Sequence, residues 1–419
     1  MLGLGTVGQA VLSALTDNQE TIAQRAGGPL NVKRALILHP ERHLGHANLI
    51  TTQWQEILAD DEIAIVVEVM GGMEPAFTYI RRALAAGKSV VTANKEVLAN
   101  RGDELFAAAE LSGRDLLFEA SVGAGVPVIR AVKLGLAGNR VHQVCGILNG
   151  TTNFILTEMA QGMVDYQQAL AKAQALGYAE ADPAADVDGH DSARKIAILA
   201  SIAFSSRVVE ADVRCSGIAQ VQAADLAWGS RLGWVLKPMA RARLVAEGLE
   251  VASYPAWVGP GHPLAHVDGI MNAVSVRAEP LGEATFTGPG AGGPATASAV
   301  LGDLIEAARN LRLGGHAVGC TCYRQLAIFD PARAEDAFYL RLTVRPERTV
   351  VSQIAATLAE HRVGLRQTLQ AAAADGRGEV VVVTETCRRG DLDRALAHLA
   401  QSPSVFTLRP PLVVEAQSA

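Results

Sequence analysis

The densest chemistry in the chain lies where Glu180, Asp182, Asp186, Asp188 and Asp191 fall within twelve positions. Asp188-Gly189 signals a turn, and the apolar positions Ile196, Ile198 and Leu199 resume just beyond it. A helix starting there puts Asp191 and Lys195, four residues apart, on one face. Alone, such a pair reads as a helix cap with a routine ion pair. The acid density points elsewhere. A calcium loop needs further oxygen ligands and a glutamate at its twelfth position, which this spacing does not supply. Carboxylates beside one lysine suit a small cationic substrate: the acids hold an ammonium group and the lysine passes a proton to or from a neighbouring oxygen.

A second feature opens the chain. Gly3-Leu4-Gly5-Thr6-Val7-Gly8 has the spacing that lets a backbone turn tightly against a pyrophosphate, whose charge then sits at a helix N-terminus. Read alone, the pattern is also that of an ordinary glycine-rich turn. Only Met1 and Leu2 precede it, fewer than the four to six residues a first strand normally takes, so most of that strand is expected to be missing or the start to be misplaced. The strand that would end in a ribose-binding acid ends as Ile37-Leu38-His39-Pro40-Glu41-Arg42. Glu41 offers itself to a ribose and Arg42 or Arg34 to a 2′-phosphate. All three are equally readable as solvated loop charges, so the choice of dinucleotide stays open.

The elements that must position these groups follow from periodicity. Apolar strands near Val32–Leu38, at Ile63–Val69, Lys88–Thr92 and Asp115–Glu119 alternate with helical patterns after the glycine loop, over Pro75–Ala86 and from about Glu96. That alternation predicts a parallel sheet wound with helices. From about Val126 the texture changes. Helices are expected around Ile155–Ala160, Tyr166–Leu176 and Ser192–Phe204, then a loop at Gly288–Gly293 and a long helix over Thr296–Arg309. Asp330–Asp336 reads as a linker. Beyond it, Phe338–Val344, Val350–His361, Gly364–Gln370, Glu379–Glu385, Leu392–Ala400 and Ser404–Leu408 read as a β-α-β-β-α-β module. Ala371–Ala374 is the one low-complexity run.

Composition narrows the classes. The 419 residues are 49% hydrophobic and 19% charged, ample for buried cores and against disorder. Lys and Arg total 37 against 43 Asp and Glu, a net −6 that argues against wrapping nucleic acid. Five scattered cysteines, Cys145, Cys215, Cys320, Cys322 and Cys387, point to a reducing compartment. Cys320-Thr321-Cys322 lacks the second pair that structural zinc needs. No stretch has the length to span a bilayer and no basic segment precedes Arg25, so a cytoplasmic protein is expected.

Seven segments in order carry a resemblance over nearly the whole chain: residues 3–8, Val91–Lys95, Phe118–Ile129, Gly146–Leu156, Gly177–Lys195, His262–Leu264 and Gly290–Val300. The chain resembles the homoserine dehydrogenases, NAD(P)-dependent enzymes that interconvert homoserine and aspartate semialdehyde. The resemblance implies an α/β fold with a Rossmann-type dinucleotide-binding domain over 1–130, completed by about 295–330. It implies an α+β catalytic and dimerisation domain over 131–295 and an ACT-like regulatory domain over 337–419. By position, it makes Lys195 the proton donor, with Lys95 and Asp191 beside the reacting centre. It gives Glu180, Asp186 and Asp191 the substrate, and Gly3, Gly5, Thr6, Val7, Gly8, Thr92, Lys95, Gly177 and Gly292 the dinucleotide, NAD or NADP. Glu119 with the carbonyls of Val122, Ala124 and Val126 matches a monovalent-cation site, usually sodium. A homodimer or homotetramer and a threonine effector are implied as partners.

Departures from the family pattern leave a second reading open, a catalytically silent paralogue kept for binding or regulation. Leu38-His39 stands where the family usually has an Arg-Asp pair. The turn Arg345-Pro346-Glu347-Arg348-Thr349 lacks the glycine of an effector loop, so that an effector-binding and a purely dimer-forming module both stay open.

Overall fold

The computed structural model describes residues 1–43, 45, 47–372 and 376–415; of the alanine run 371–374, the last two positions lie outside them. The chain divides into two compact units.

The first unit comprises Met1–Val144, Arg194–Asp212 and Met271–Leu326. Its short parallel strands are Ala35–Leu36, Ile50–Thr51, Ile65–Glu68, Ser89–Thr92 and Leu116–Leu117. Met1–Gly3 lies in the middle of them. Leu2 bridges in parallel to both Leu36 and Glu68, its N–H donating to the Val67 carbonyl at 2.7 Å and its carbonyl accepting from Val69 at 2.9 Å. The Leu36 N–H reaches the Met1 carbonyl at 2.8 Å, and the Gly3 N–H reaches Leu36 at 3.0 Å. The central strand is therefore present as a stub paired on both sides. It gives the strands the order 3-2-1-4-5-6 of a Rossmann sheet.

Helices follow from the same local rules. Lys95–Ser112 starts where Asn94 accepts the Val97 N–H, and ends at Gly113 in the left-handed region. Thr6–Asp17 buries Gly8, Val11 and Leu15 against the long helix Gly293–Leu313, whose Val300, Leu304 and Ala307 share a core with Val67 and Val91. A Cβ on Gly293 would stand 3.1 Å from the Thr6 carbonyl, tighter than an ordinary contact, so the close approach of the two helices favours glycine there. The predicted loop at 288–293 is shorter than expected. Strand Gly282–Pro289, in a hairpin with Met271–Glu279, runs into it from one side, and the helix starts at Gly293 on the other.

The second unit comprises Cys145–Ala193, Val213–Ile270 and Ala327–Ala419. Its spine is the hairpin Val235–Val245 with Gly248–Val258. The latter strand is buried along nearly its whole length. Strand Leu412–Val414 pairs in parallel with Gly248–Val258 on one side and antiparallel with Glu335–Val344 on the other. Gly378–Thr384 and Leu365–Ala372 follow outward, and Val405–Leu408 pairs with the far part of Glu335–Val344. With helices Val350–Glu360 and Arg389–Leu399, this is the expected β-α-β-β-α-β order. The expected linker is shorter than read, because the strand already starts at Glu335. Trp257, Tyr339, Val381 and Val414 share a core with Phe154, Leu226 and Trp228.

Two arginines stitch this sheet. Arg241, 3% exposed, pairs with Glu415, Asp336 and Glu250, each at 2.9 Å. Arg341 pairs with Asp225 at 2.6 Å and Glu379 at 2.7 Å. Among the described residues no helix is long and apolar enough to cross a membrane.

Candidate active site

Within the first unit the glycine loop has the geometry its spacing predicts. Gly3 has φ +95°, and a Cβ on Gly8 would meet the Gly3 carbonyl at 2.4 Å. A Cβ on Gly5 would meet nothing within 4 Å, so Gly5 faces open space. No side chain caps the N-terminus of Thr6–Asp17. The loop thus presents backbone, with the positive end of a helix behind it, to whatever approaches Gly5. Thr6 and Val7 form the first turn of that helix. Gly292, with φ +108°, is the N-cap of Gly293–Leu313.

Thr92 ends its strand fully buried, and its hydroxyl donates to Glu68 Oε2 at 2.6 Å while accepting the Asn94 N–H at 3.0 Å. Glu68 Oε1 accepts the Met70 and Gly71 N–H groups at 2.8 and 3.3 Å. Burial pushes the Glu68 carboxyl up from its ordinary value, against the hydrogen bonds from Thr92, Met70 and Gly71. Asn94 reaches the Gly72 carbonyl at 2.7 Å. This network fixes the start of the helix whose first residue is Lys95. Glu68 and Asn94 carry no role that the sequence pattern assigns. A lone acid closing an apolar strand is the only signal for Glu68, whereas Asn94 falls inside the Val91–Lys95 segment.

Glu119 is buried, and its two oxygens accept the N–H groups of Ile129 and Arg130 at 2.9 and 2.8 Å. Burial raises its carboxyl as well, against those two bonds. Val122, Ala124 and Val126 are buried on the loop that follows, which turns at Gly123 (φ +71°) and Ala124 (φ +41°). Asp303 accepts the Glu119 N–H at 2.8 Å and pairs with Arg130 at 2.9 Å. Its carboxyl is pushed up to about 7, chiefly by burial. Lys195 lies in helix His190–Ala203 and is 8% exposed.

Within the second unit the acid cluster separates into parts. Asp191, 4% exposed, and Asp186 are drawn together by one residue. Asn149 Nδ2 donates to Asp191 Oδ2 at 2.9 Å and to Asp186 Oδ1 at 2.7 Å. The Asn149 Oδ1 accepts the Thr152 N–H at 2.8 Å and caps helix Gly150–Gly162. Sequence reasoning misses Asn149 as a site residue, since its partners lie 37 and 42 positions away. Asp182 instead caps its own turn through the Ala184 N–H at 3.1 Å. Glu180 is exposed, its carbonyl accepting from Gln174 Nε2 at 3.1 Å. Gly177 takes φ +74° in the loop tied down where Thr151 Oγ1 donates to the Tyr178 carbonyl at 2.7 Å.

Known proteins give this arrangement a family. Residues 3–119 match the family model described as the NAD binding domain of homoserine dehydrogenase, and residues 127–305 match the model of homoserine dehydrogenase itself. The chain is 40% identical to a homoserine dehydrogenase of Synechocystis over 97% of its own length and 96% of that protein's. It is 44% identical to the homoserine dehydrogenase of Mycobacterium bovis, covering 92% and 90% of the two chains. The crystal structure of a homoserine dehydrogenase from Thiobacillus denitrificans superposes with a TM-score of 0.94 at 34% identity, covering 100% of this chain and 97% of that one. The chain therefore belongs to the homoserine dehydrogenase family, and it is an oxidoreductase built on an NAD-binding domain.

Proposed function

We propose that the chain interconverts L-homoserine and L-aspartate 4-semialdehyde with Lys195 moving the proton at the reacting oxygen. The observation that carries this reading is the Asn149 amide holding Asp186 and Asp191 at 2.7 and 2.9 Å. That amide orients two carboxylates side by side, and carboxylates are the groups that hold a substrate ammonium. Glu180, exposed on the preceding loop, joins them in binding the amino acid. When bound, the dinucleotide gives up or takes the hydride. Lys195 donates a proton to the oxygen as the aldehyde is reduced and recovers it in the reverse direction. Lys95 stabilises the charge that develops on that oxygen. Gly3, Gly5, Thr6, Val7 and Gly8 cradle the pyrophosphate of NAD or NADP, and Thr92, Lys95, Gly177 and Gly292 complete its contacts. Glu119 and the carbonyls of Val122, Ala124 and Val126 are an all-oxygen set that suits a monovalent cation such as sodium. A carboxylate raised by burial is the kind of group such a cation relieves.

In domain terms, residues 1–130 with about 295–330 bind the dinucleotide, 131–295 carry catalysis and dimerisation, and 337–419 form an ACT-like regulatory module. The β-α-β-β-α-β order supports the last assignment. Threonine is its effector, and a cytoplasmic homodimer or homotetramer is the working form.

The test is the absorbance of reduced nicotinamide with homoserine and either NAD or NADP, with and without threonine. Absence of hydride transfer by the folded full chain overturns the activity. Rates indifferent to threonine overturn the effector.

A further inference from the structure

The segment after helix Gly293–Leu313 carries Cys320 and Cys322, neither of which takes part in the proposed reaction. Cys320 is exposed and Cys322 partly so, whereas Cys145 and Cys387 are buried. The Cys322 N–H points at the Cys320 sulfur at 3.4 Å, and the Cys322 thiol at the Ser201 carbonyl at 3.6 Å. Both cysteines line a cleft of about 20 Å³ with Lys133, Arg207, Phe106 and Phe118. That is room for a water-sized molecule. Among the described residues no Asp or Glu lines this cleft, and no cluster of three or more His, Cys, Asp and Glu is arranged to hold a metal ion.

The cations are built in. Arg207 donates to the Leu98 carbonyl at 3.1 Å and lies 3.7 Å from Asp103. Lys133 stands over the Phe106 and Phe118 rings at 5.7 and 5.5 Å, with Glu306 and Asp303 as the acids in its electrostatic surroundings. A wider cavity of about 350 Å³ is lined by Cys320 as well, together with Glu110, Arg114, Asp115 and His316.

We propose that Cys320 and Cys322 form a peroxide-oxidisable dithiol, with Cys320 the attacking sulfur and Cys322 the resolving one. The Cys322 thiol and N–H, then Lys133 and Arg207, bring the Cys320 thiol down to about 6 against the cost of its burial, while the Cys322 thiol is raised. The Cys320 thiolate attacks one oxygen of hydrogen peroxide. The S–O bond forms, the O–O bond breaks, and the departing hydroxide takes up a proton as water. Cys320 is oxidised by two electrons to the sulfenic acid. The Cys322 sulfur then attacks the Cys320 sulfur; the S–S bond forms, the S–O bond breaks, and the leaving hydroxide takes the Cys322 proton as a second water. The sum is two thiols and one peroxide giving one disulfide and two waters. The α-carbons of residues two apart are never more than about 7 Å from each other, which puts the two sulfurs within reach of one another once the segment bends to disulfide geometry.

The experiment treats the full chain with hydrogen peroxide and maps its cysteine peptides by mass. The expected result is loss of two hydrogens from the peptide holding Cys320 and Cys322, reversed by dithiothreitol and absent in Cys320→Ser. In Cys322→Ser a sulfenic acid on Cys320 is expected instead, trapped by dimedone. Alkylation of Cys320 by iodoacetamide at pH 6 should run about tenfold faster than that of a small thiol of ordinary pKa. An unchanged peptide in the wild-type chain, or oxidation that proceeds equally in Cys320→Ser, overturns the proposal. Cys320→Ala repeats the test should the serine variant fold poorly.

Discussion

The first unit and the C-terminal sheet of the second bury carboxylates by different means. Glu68 and Glu119 are held by a hydroxyl and backbone N–H groups, and burial raises both. Asp336, Glu250 and Glu415 are instead gathered on one guanidinium. There, burial pulls Arg241 down, but Glu415, Tyr254, Asp336 and Glu250 outweigh it and hold the arginine above its ordinary value. Burial likewise raises Glu250, and Arg241 and Arg243 more than reverse it. The contrast teaches where chemistry and where stability reside. Acids held by neutral dipoles keep a desolvation cost that a bound cation can relieve. Acids on an arginine have part of that cost met within the fold, although burial still raises Asp336.

The largest effect expected from this division is on turnover. Lys195→Ala should cut kcat about 10²–10⁴-fold while dinucleotide affinity, read by fluorescence titration, stays within a few-fold. Near-normal steady-state rates would remove Lys195 from the mechanism. Arg241→Ala should show the mirror image. It leaves Glu415 without its arginine and Glu250 and Asp336 with Arg243 alone, and should cost about 3–5 kcal/mol in guanidinium unfolding, with activity per folded molecule retained. A stability loss under about 1 kcal/mol would mean that the hub behaves like a surface ion pair.

Asp303 is the intermediate case, holding both a backbone N–H and Arg130. Its carboxyl is raised from 3.8 to about 7, so between those values the folded chain keeps a proton that the unfolded chain has released. Stability should therefore be lost as pH rises through that window and level off above it. Asp303→Asn cannot ionise and should flatten this part of the Tm-against-pH profile; parallel profiles for the two proteins would refute the assignment. The smallest effect is expected for Thr92→Val, which removes the hydroxyl that donates to Glu68 and accepts the Asn94 N–H. A loss of about 1 kcal/mol in thermal unfolding, with KM for the dinucleotide rising more than kcat falls, separates its part in setting the Lys95 helix from mere packing.

Local pattern made much of the fold legible. Gly3, Gly5 and Gly8 announced their turn, and the strands near 65, 89 and 116 and the helices after them follow from period and caps. The central strand did not follow, because a stub of Met1–Gly3 relies on neighbours at Leu36 and Val67 for pairing that no run of residues displays. Leu412–Val414 escaped for a related reason. It follows Pro410-Pro411, which cannot donate to a ladder, and yet its residues pair on both sides. In the site, Asp186 and Asp191 were readable from acid density, whereas Asn149, which unites them, and Glu68, which Thr92 supports, were not. Their meaning comes from partners brought near only by the fold. The arginine hubs were hidden in the same way, since Arg241 and Asp336 are 95 positions apart.

The strand Leu412–Val414 and the acid that follows it also bear on the order in which the molecule can be assembled. Arg241 and Glu415 are separated by 174 positions. A chain emerging from the ribosome displays the hairpin Val235–Val245 and Gly248–Val258 long before the strand that seals its edge exists. During that interval Arg214–Cys215 covers that edge only at Ala252 and Ser253, Ala256 and Trp257 lack their partner strand, and Arg241 lacks Asp336 and Glu415. Closure of this sheet is thus a late, long-range event of the kind that folds slowly.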